Sequence, residues 1–237
     1  MSSAMYPDIA NSNSISFSTD MVTLGFGNDK QEIAIHKEIL FECSKIADYY
    51  AEVSSRFGWD DRTLVENTLV LPEVSRETGN QLVNWLYFGT LPYNTSDLGK
   101  LGGEEGVKVG TEIVEAYNVA LKFEMEDWAN ALADAFSALA LEDMPWIKYA
   151  VLLKAVQPND EGLRGLVLTC LALAIRRAGW EMYTTEVNKE LVDTVKLGGD
   201  FAVELMKYLL DTEGGVPKRK KKNCNWHVHT KTKKCGT

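Results

Sequence analysis

Four soft or borderline metal ligands stand near the end of the chain: Cys224, His227, His229 and Cys235, spaced Cys-x2-His-x-His-x5-Cys. Tetrahedral zinc takes that number of such ligands. In an extended Trp226–His229 the two imidazoles would share one face, with Trp226 and Val228 opposite, and a cysteine from either side could close the shell. Against zinc stand a spacing unlike that of standard fingers and nearby lysines that oppose a cation. The alternatives are a tail with no fixed structure and a Cys224–Cys235 disulfide.

Just upstream, Pro217, Lys218, Arg219, Lys220, Lys221 and Lys222 set five consecutive cations behind a proline. That density suits nuclear import. The competing reading is a solubilising tail that docks on its own acidic body. Lysines contact phosphates and carry no base code, so any nucleic-acid contact by this run is non-specific.

Elsewhere the search for catalysis returns little. There is no G-x-x-x-x-G-K-[ST], H-E-x-x-H or G-x-S-x-G. Gly102, Gly103, Gly106 and Gly110 follow no apolar strand, and Glu104 and Glu105 would repel a phosphate, so a surface insertion is the better reading. His36, in IAIHKEILFECSKIADYY, has no carboxylate or nucleophile at a fixed spacing and is expected to hold a corner of the fold. Trp85, Trp128 and Trp146 fall on helical core faces, whereas Trp59 in FGWDD is a candidate contact residue.

These residues belong to a chain of 237 with 45% hydrophobic residues, enough to build a packed core. The first twenty residues hold no Lys or Arg and no apolar run of signal-peptide length. The longest apolar stretch, GLVLTCLALAI, lies between Arg164 and Arg176 and is far shorter than the roughly 20 residues a bilayer needs. The expectation is an intracellular protein of nucleus or cytoplasm with no membrane span. In such a compartment Cys43 and Cys170 act as small buried hydrophobes. From Pro217 onward there are eight basic and no acidic residues, which leaves 17 of the 25 basic residues against all 34 acidic ones. A body so acidic repels nucleic acid and anionic lipid.

Alternation of Val22, Leu24 and Phe26, then of Ile33 and Ile35, predicts a β-hairpin across GNDK. Ile39, Cys43, Ile46 and Tyr50 then switch to helical spacing. TLVLP at 68–72 reads as a strand. A helix capped by Ser75 buries Leu82, Trp85 and Leu86 and stops at Gly89. Residues 94–111, rich in Gly and Asn, read as an exposed loop. Helices follow through Ile113–Leu121 and, after Asp127, through Trp128–Leu139. Beyond about residue 142 only helices are expected: around Tyr149–Leu153, after Asn159 and Asp160 through Leu163–Ala174, and from Asp200 with Phe201, Leu205, Tyr208 and Leu209 inward.

Three blocks in this order resemble a known family. Ile35-His36-Lys37-Glu38-Ile39-Leu40, with Ser44 and Tyr49-Tyr50, is similar to the His-Lys signature of BTB/POZ domains. LVNWLYFGTLP at 82–92 resembles that family's Leu-Tyr-x-Gly segment, and VEAYNVALKFEMEDWANALADAF at 114–136 its helix pair, with Tyr117, Ala120 and Phe123 in place. The chain most resembles the short fungal BTB proteins that carry a helical extension and little else.

The resemblance implies an α+β fold, a small mostly antiparallel sheet flanked by helices, with an all-helical extension. The divisions are a flexible N-terminus at 1–16, the BTB/POZ domain at 17–142, the extension at 143–213 and the basic Cys/His tail at 214–237. It further implies a non-enzymatic interaction module, an adaptor or scaffold whose partners include cullin-3 ubiquitin ligases or transcriptional regulators, and which forms homodimers. Residues 1–20 lack the periodic apolar helix that long-form members swap between copies. The alternative is a nuclear transcriptional or chromatin-associated regulator that uses the basic tail for import.

Overall fold

The structure is a computed structural model, and it describes residues 20–27, 31–43, 45, 46, 48, 68–101, 103–141, 149–157, 160–187, 189–196, 199–211 and 226–230. Strands β1 (Met21–Phe26) and β2 (Gln31–His36) pair antiparallel, Val22 opposite Ile35 and Leu24 opposite Ile33. The period-two apolar pattern predicts this register, because a slip of one residue would turn Val22, Leu24 and Phe26 out to solvent. Helix α1 (Lys37–Cys43) continues directly from β2 and buries Ile39 and Leu40.

Strand β3 (Thr68–Leu71) lies on the other side of β1 and runs parallel to it, giving the order β2-β1-β3. The sheet is therefore mixed, where a mostly antiparallel one is expected from the sequence. The cause is the crossing. β2 ends opposite Met21 and β3 starts opposite Thr23, so a strand returning from that end beside β1, not β2, must run with β1. A parallel neighbour needs a long connection, and α1 begins it.

Helix α2 (Arg76–Phe88) rests on this sheet. The Thr78 backbone N–H donates to Ser75 Oγ at 3.2 Å, and Gly89 ends the helix in the left-handed region at φ 61°. Both caps are those read from the sequence. Gly79 lets the helix meet β1: a Cβ there would stand 2.6 Å from the Phe26 ring.

Two long helices follow the short α3 (Thr95–Leu98): α4 (Gly103–Lys122) and α5 (Glu126–Leu141). The loop expected at 94–111 is thus corrected, since most of it is helical. Its glycines suggest a loop, but Gly110 is buried where a Cβ would come within 3.1 Å of Leu152 Cδ1, and Glu104 and Glu105 favour a helix N-terminus.

The described residues form two compact units. The first comprises those up to Pro92 together with Val119–Trp128. In it, the turn between α4 and α5 is tied to the segment after α1: the Lys45 backbone N–H donates to Phe123 O at 3.2 Å, and Lys45 Nζ lies 2.7 Å from Glu124 Oε1.

The second unit comprises Tyr93–Asn118 and the described residues from Ala129 on. At its centre is α7 (Glu161–Ala178), capped by Asp160, whose carboxylate accepts from the Gly162 and Leu163 N–H groups. Every residue from Gly165 to Ile175 is buried, so the apolar run noted in the sequence is a core helix. Around it lie α6 (Tyr149–Ala155) and α10 (Asp200–Asp211). Between α7 and α10 come α8 (Trp180–Met182), a π-helical turn (Tyr183–Val187) and α9 (Lys189–Lys196), none of them anticipated. Cys170 is a free buried thiol, pushed up to about 12 by burial, and packs as a hydrophobe. Among the described residues no helix is long and apolar enough to cross a membrane.

The close approach at Gly79 yields a measurable contrast. Gly79→Ala should cost a net of about 1–3 kcal/mol in urea unfolding, because a rigid ring meets the new methyl. Gly110→Ala meets only the ends of two leucines, Leu152 and Leu139, and should stay within about 1 kcal/mol of wild type, helped by alanine's helix propensity. Equal effects would show that Phe26 is not wedged against the helix.

Candidate functional site

His36 sits where β2 becomes α1, as a corner residue would. Its backbone N–H donates to Tyr87 Oη at 3.0 Å, and its Nδ1 lies 2.6 Å from the same oxygen. A hydroxyl carries both a donor and acceptor lone pairs, so one oxygen serves the backbone and the ring of His36 together. The rings meet edge-on with centroids 5.8 Å apart. The imidazole is thus bound to a structural hydroxyl and ties the strand–helix joint to α2.

The four ligand candidates of the tail have different fates. Cys224 and Cys235 lie outside the described residues, as do Pro217, Lys218, Arg219, Lys220, Lys221 and Lys222. His227 and His229 are described, their ring centroids 6.0 Å apart at 57°. Among the described residues no three His, Cys, Asp or Glu side chains gather as a metal site. His227 Nε2 instead stands 3.3 Å from Asp134 Oδ1 of α5.

That contact is one of several that seat residues 226–230 on the second unit. The Val228 backbone N–H donates to Asn130 Oδ1 at 2.7 Å, and Asn130 Nδ2 donates to Val228 O at 3.1 Å. One amide therefore reads both polar groups of a single residue, as a neighbouring strand would. Trp226 lies over the start of α7. A Cβ on Gly162 would stand 2.9 Å from the Trp226 carbonyl oxygen, and one on Gly165 would stand 3.2 Å from its ring and 2.9 Å from Tyr208 Oη. Two glycines three apart on one helix face make the room. Beneath them Tyr117 Oη donates to Asp160 Oδ1 at 3.3 Å; burial, with the nearby carboxylate, raises the Tyr117 pKa and keeps the phenol neutral.

Among the described residues the most exposed large apolar side chains lie on two elements. Val203, Met206 and Leu210 form a stripe on the outer face of α10 with exposures of 71%, 57% and 62%, and Phe88 at the end of α2 is 68% exposed. The inward positions of α10 agree with the sequence reading at Leu205, which is buried. Phe201, Tyr208 and Leu209 are only half-buried.

Comparison with family models, with curated proteins and with solved structures finds no match.

Asn130, Asp134, Gly162 and Gly165 escape the sequence reading, and Tyr208 is read there only as an inward position of the last helix. Gly162 and Gly165 interrupt a helical pattern, which signals close approach by something, but the sequence does not name the visitor. The outer stripe of α10 is legible as a second apolar series at i, i+3 and i+7.

Tyr87→Phe removes the hydroxyl shared by the backbone and ring of His36. Thermal unfolding should show a loss of about 1–2 kcal/mol. A loss below about 0.3 kcal/mol would mean that the corner is held by packing alone.

Proposed function

We propose that this chain is a non-enzymatic protein–protein interaction module of BTB/POZ type, an adaptor or scaffold, with cullin-3 as the most concrete partner. One observation carries the interaction reading: the stripe Val203, Met206 and Leu210 is helical, contiguous and open to solvent. Burying such a side chain is worth about 1.5–3 kcal/mol. Three in register are enough for the anchor of an interface, after the costs of association are subtracted. Phe88 adds a further exposed aromatic. The BTB/POZ reading is supported by the succession of hairpin, helix, strand and capped helix, and by the His36–Tyr87 tie between two of the family-like blocks.

Affinity purification with the full chain and with a Val203→Asp/Met206→Asp variant checks this. Proteins recovered with the first should be lost with the second, with cullin-3 among those the wild-type chain retains. An unchanged profile from a variant with native circular dichroism defeats the claim for the stripe. Purified cullin-3 failing to bind the purified chain defeats the ligase version.

The basic run 217–222 favours a second reading, a nuclear transcriptional or chromatin-associated regulator. Its deletion should move a fluorescent fusion from nucleus to cytoplasm. An unchanged distribution removes that reading.

A further inference from the structure

We infer that the outer face of α10 pairs with the same face of a second copy of this chain, the two helices running antiparallel about a twofold axis. The inference rests on the reading of that stripe as an interface and names its occupant. Side chains of an α-helix advance by about 100° per residue, which sets Val203, Met206 and Leu210 within about 60° of one another. Asp200 and Lys207, both exposed, lie two turns apart and so share one flank of the stripe. Ala202 and Leu209, half-buried and without charge, lie on the other flank. Glu204, further round on the charged side, is bound to Arg164.

The charged flank chooses the occupant. It holds an anion at the start of the helix and a cation two turns along, so a uniformly acidic or uniformly basic partner meets a like charge at one end. A surface with the same pair in the opposite order meets neither, and a second α10 turned antiparallel is such a surface. In antiparallel pairs like flanks meet, which sets Asp200 of each copy beside Lys207 of the other. A parallel pair would set the charged flank against the apolar one and match neither ion. In the antiparallel register Val203 of each copy packs on the other copy's Met206. Leu210 then passes over the other copy's Gly199, which is exposed and puts no side chain in the way. The helix has 12 residues and is about 18 Å long. The contact is therefore well below the standard interface size, and the dimer should form with a dissociation constant of about 0.1 mM.

Sedimentation equilibrium of the full chain and three variants tests it. At about 0.3 mM the wild type should weigh well above the 26.5 kDa of one chain and approach a dimer. Val203→Asp/Met206→Asp should weigh one chain. Asp200→Lys and Lys207→Asp should each weaken self-association about tenfold, because each sets like charges face to face twice. Mixed in equal amounts, these two should associate about as tightly as the wild type, since one then carries two cations on the flank and the other two anions. Circular dichroism and melting confirm that each variant folds. Asp200 opens the helix, so should Asp200→Lys fail that check, Lys207→Asp and Val203→Asp/Met206→Asp decide alone, and wild-type association by either overturns the proposal. A wild type that weighs one chain at the same concentration overturns it whatever affinity purification returns for the stripe. A dimer that Val203→Asp/Met206→Asp leaves intact uses another face and overturns it as well. So does a mixture of the two folded charge variants that associates no better than its components, because the mixture reads the antiparallel register.

Discussion

A helix that is apolar on every side has no face to give to water, and α7 is such a helix from Gly165 to Ile175. It can exist in solution only inside a coat. Much of the second unit is that coat. α6 and α10 pack along it, Arg164 Nη2 reaches Glu204 Oε2 on α10 at 2.6 Å, and Arg176 donates to the carbonyl of Leu209. The two arginines that bracket the apolar run in sequence thus pin the covering helix near both ends of it. At the N-terminal end, where Gly162 and Gly165 leave no side chain, the coat is completed by Trp226. A tail residue thereby joins the packing of the core helix, and this explains why a short segment near the end of the chain has a defined place at all.

The first unit meets a different constraint. Its sheet has three strands among the described residues, and its apolar face must be covered by another layer. α2 supplies that layer, and Gly79 sets how close it comes. Since α2 begins at a serine cap and ends at a left-handed glycine, its length is fixed locally, and so is the position of Tyr87 two residues before the stop. That position is what brings the hydroxyl to His36. The place of His36 is therefore accounted for by the geometry of two neighbouring elements.

Sequence legibility followed the range of the interaction. The hairpin, β3, both caps of α2 and the Asp160 cap of α7 depend on residues a few positions apart, so pattern and capping chemistry suffice. Reading fails where a distant contact overrides a local preference. Six Gly or Asn between 94 and 111 argue for a loop, yet Gly110 lies inside a helix and packs close to Leu139 and Leu152. The stretch 180–196 fails for another reason. Tyr183 and Leu191 are fully buried while Trp180 and Met182 are exposed, so its apolar residues do not mark one side, and a π-helical turn shifts the period midway. The parallel placement of β3 depends on which edge of the hairpin a returning strand joins, and the sequence of β3 does not encode that choice. The groove on α5 and α7 was the least legible feature. Asn130 binds backbone atoms, and backbone atoms leave no signature in a sequence.

The charge pattern shows what kind of recognition the tail uses. Up to residue 216 the chain is strongly acidic and beyond it wholly basic, and a simple picture would have lysines pinning the tail by Coulomb attraction. Residues 226–230, the part with a described place, contain no Lys or Arg. They are held by an amide that matches one backbone residue, by an indole over two glycines and by one imidazole–carboxylate contact. Exposed ion pairs are weak and yield to salt; aromatic burial and paired backbone hydrogen bonds do not. The long-range field of the acidic body can raise the rate at which a basic tail arrives, but residues 226–230 are placed by short-range contacts with Asn130, Asp134, Gly162 and Gly165. α10 then links the two surfaces of interest. Its inner side brings Tyr208 to the Trp226 groove, and its outer side presents Val203, Met206 and Leu210. A single short helix packed on an all-apolar core thus borders the groove with one face and leaves an apolar stripe open on the other.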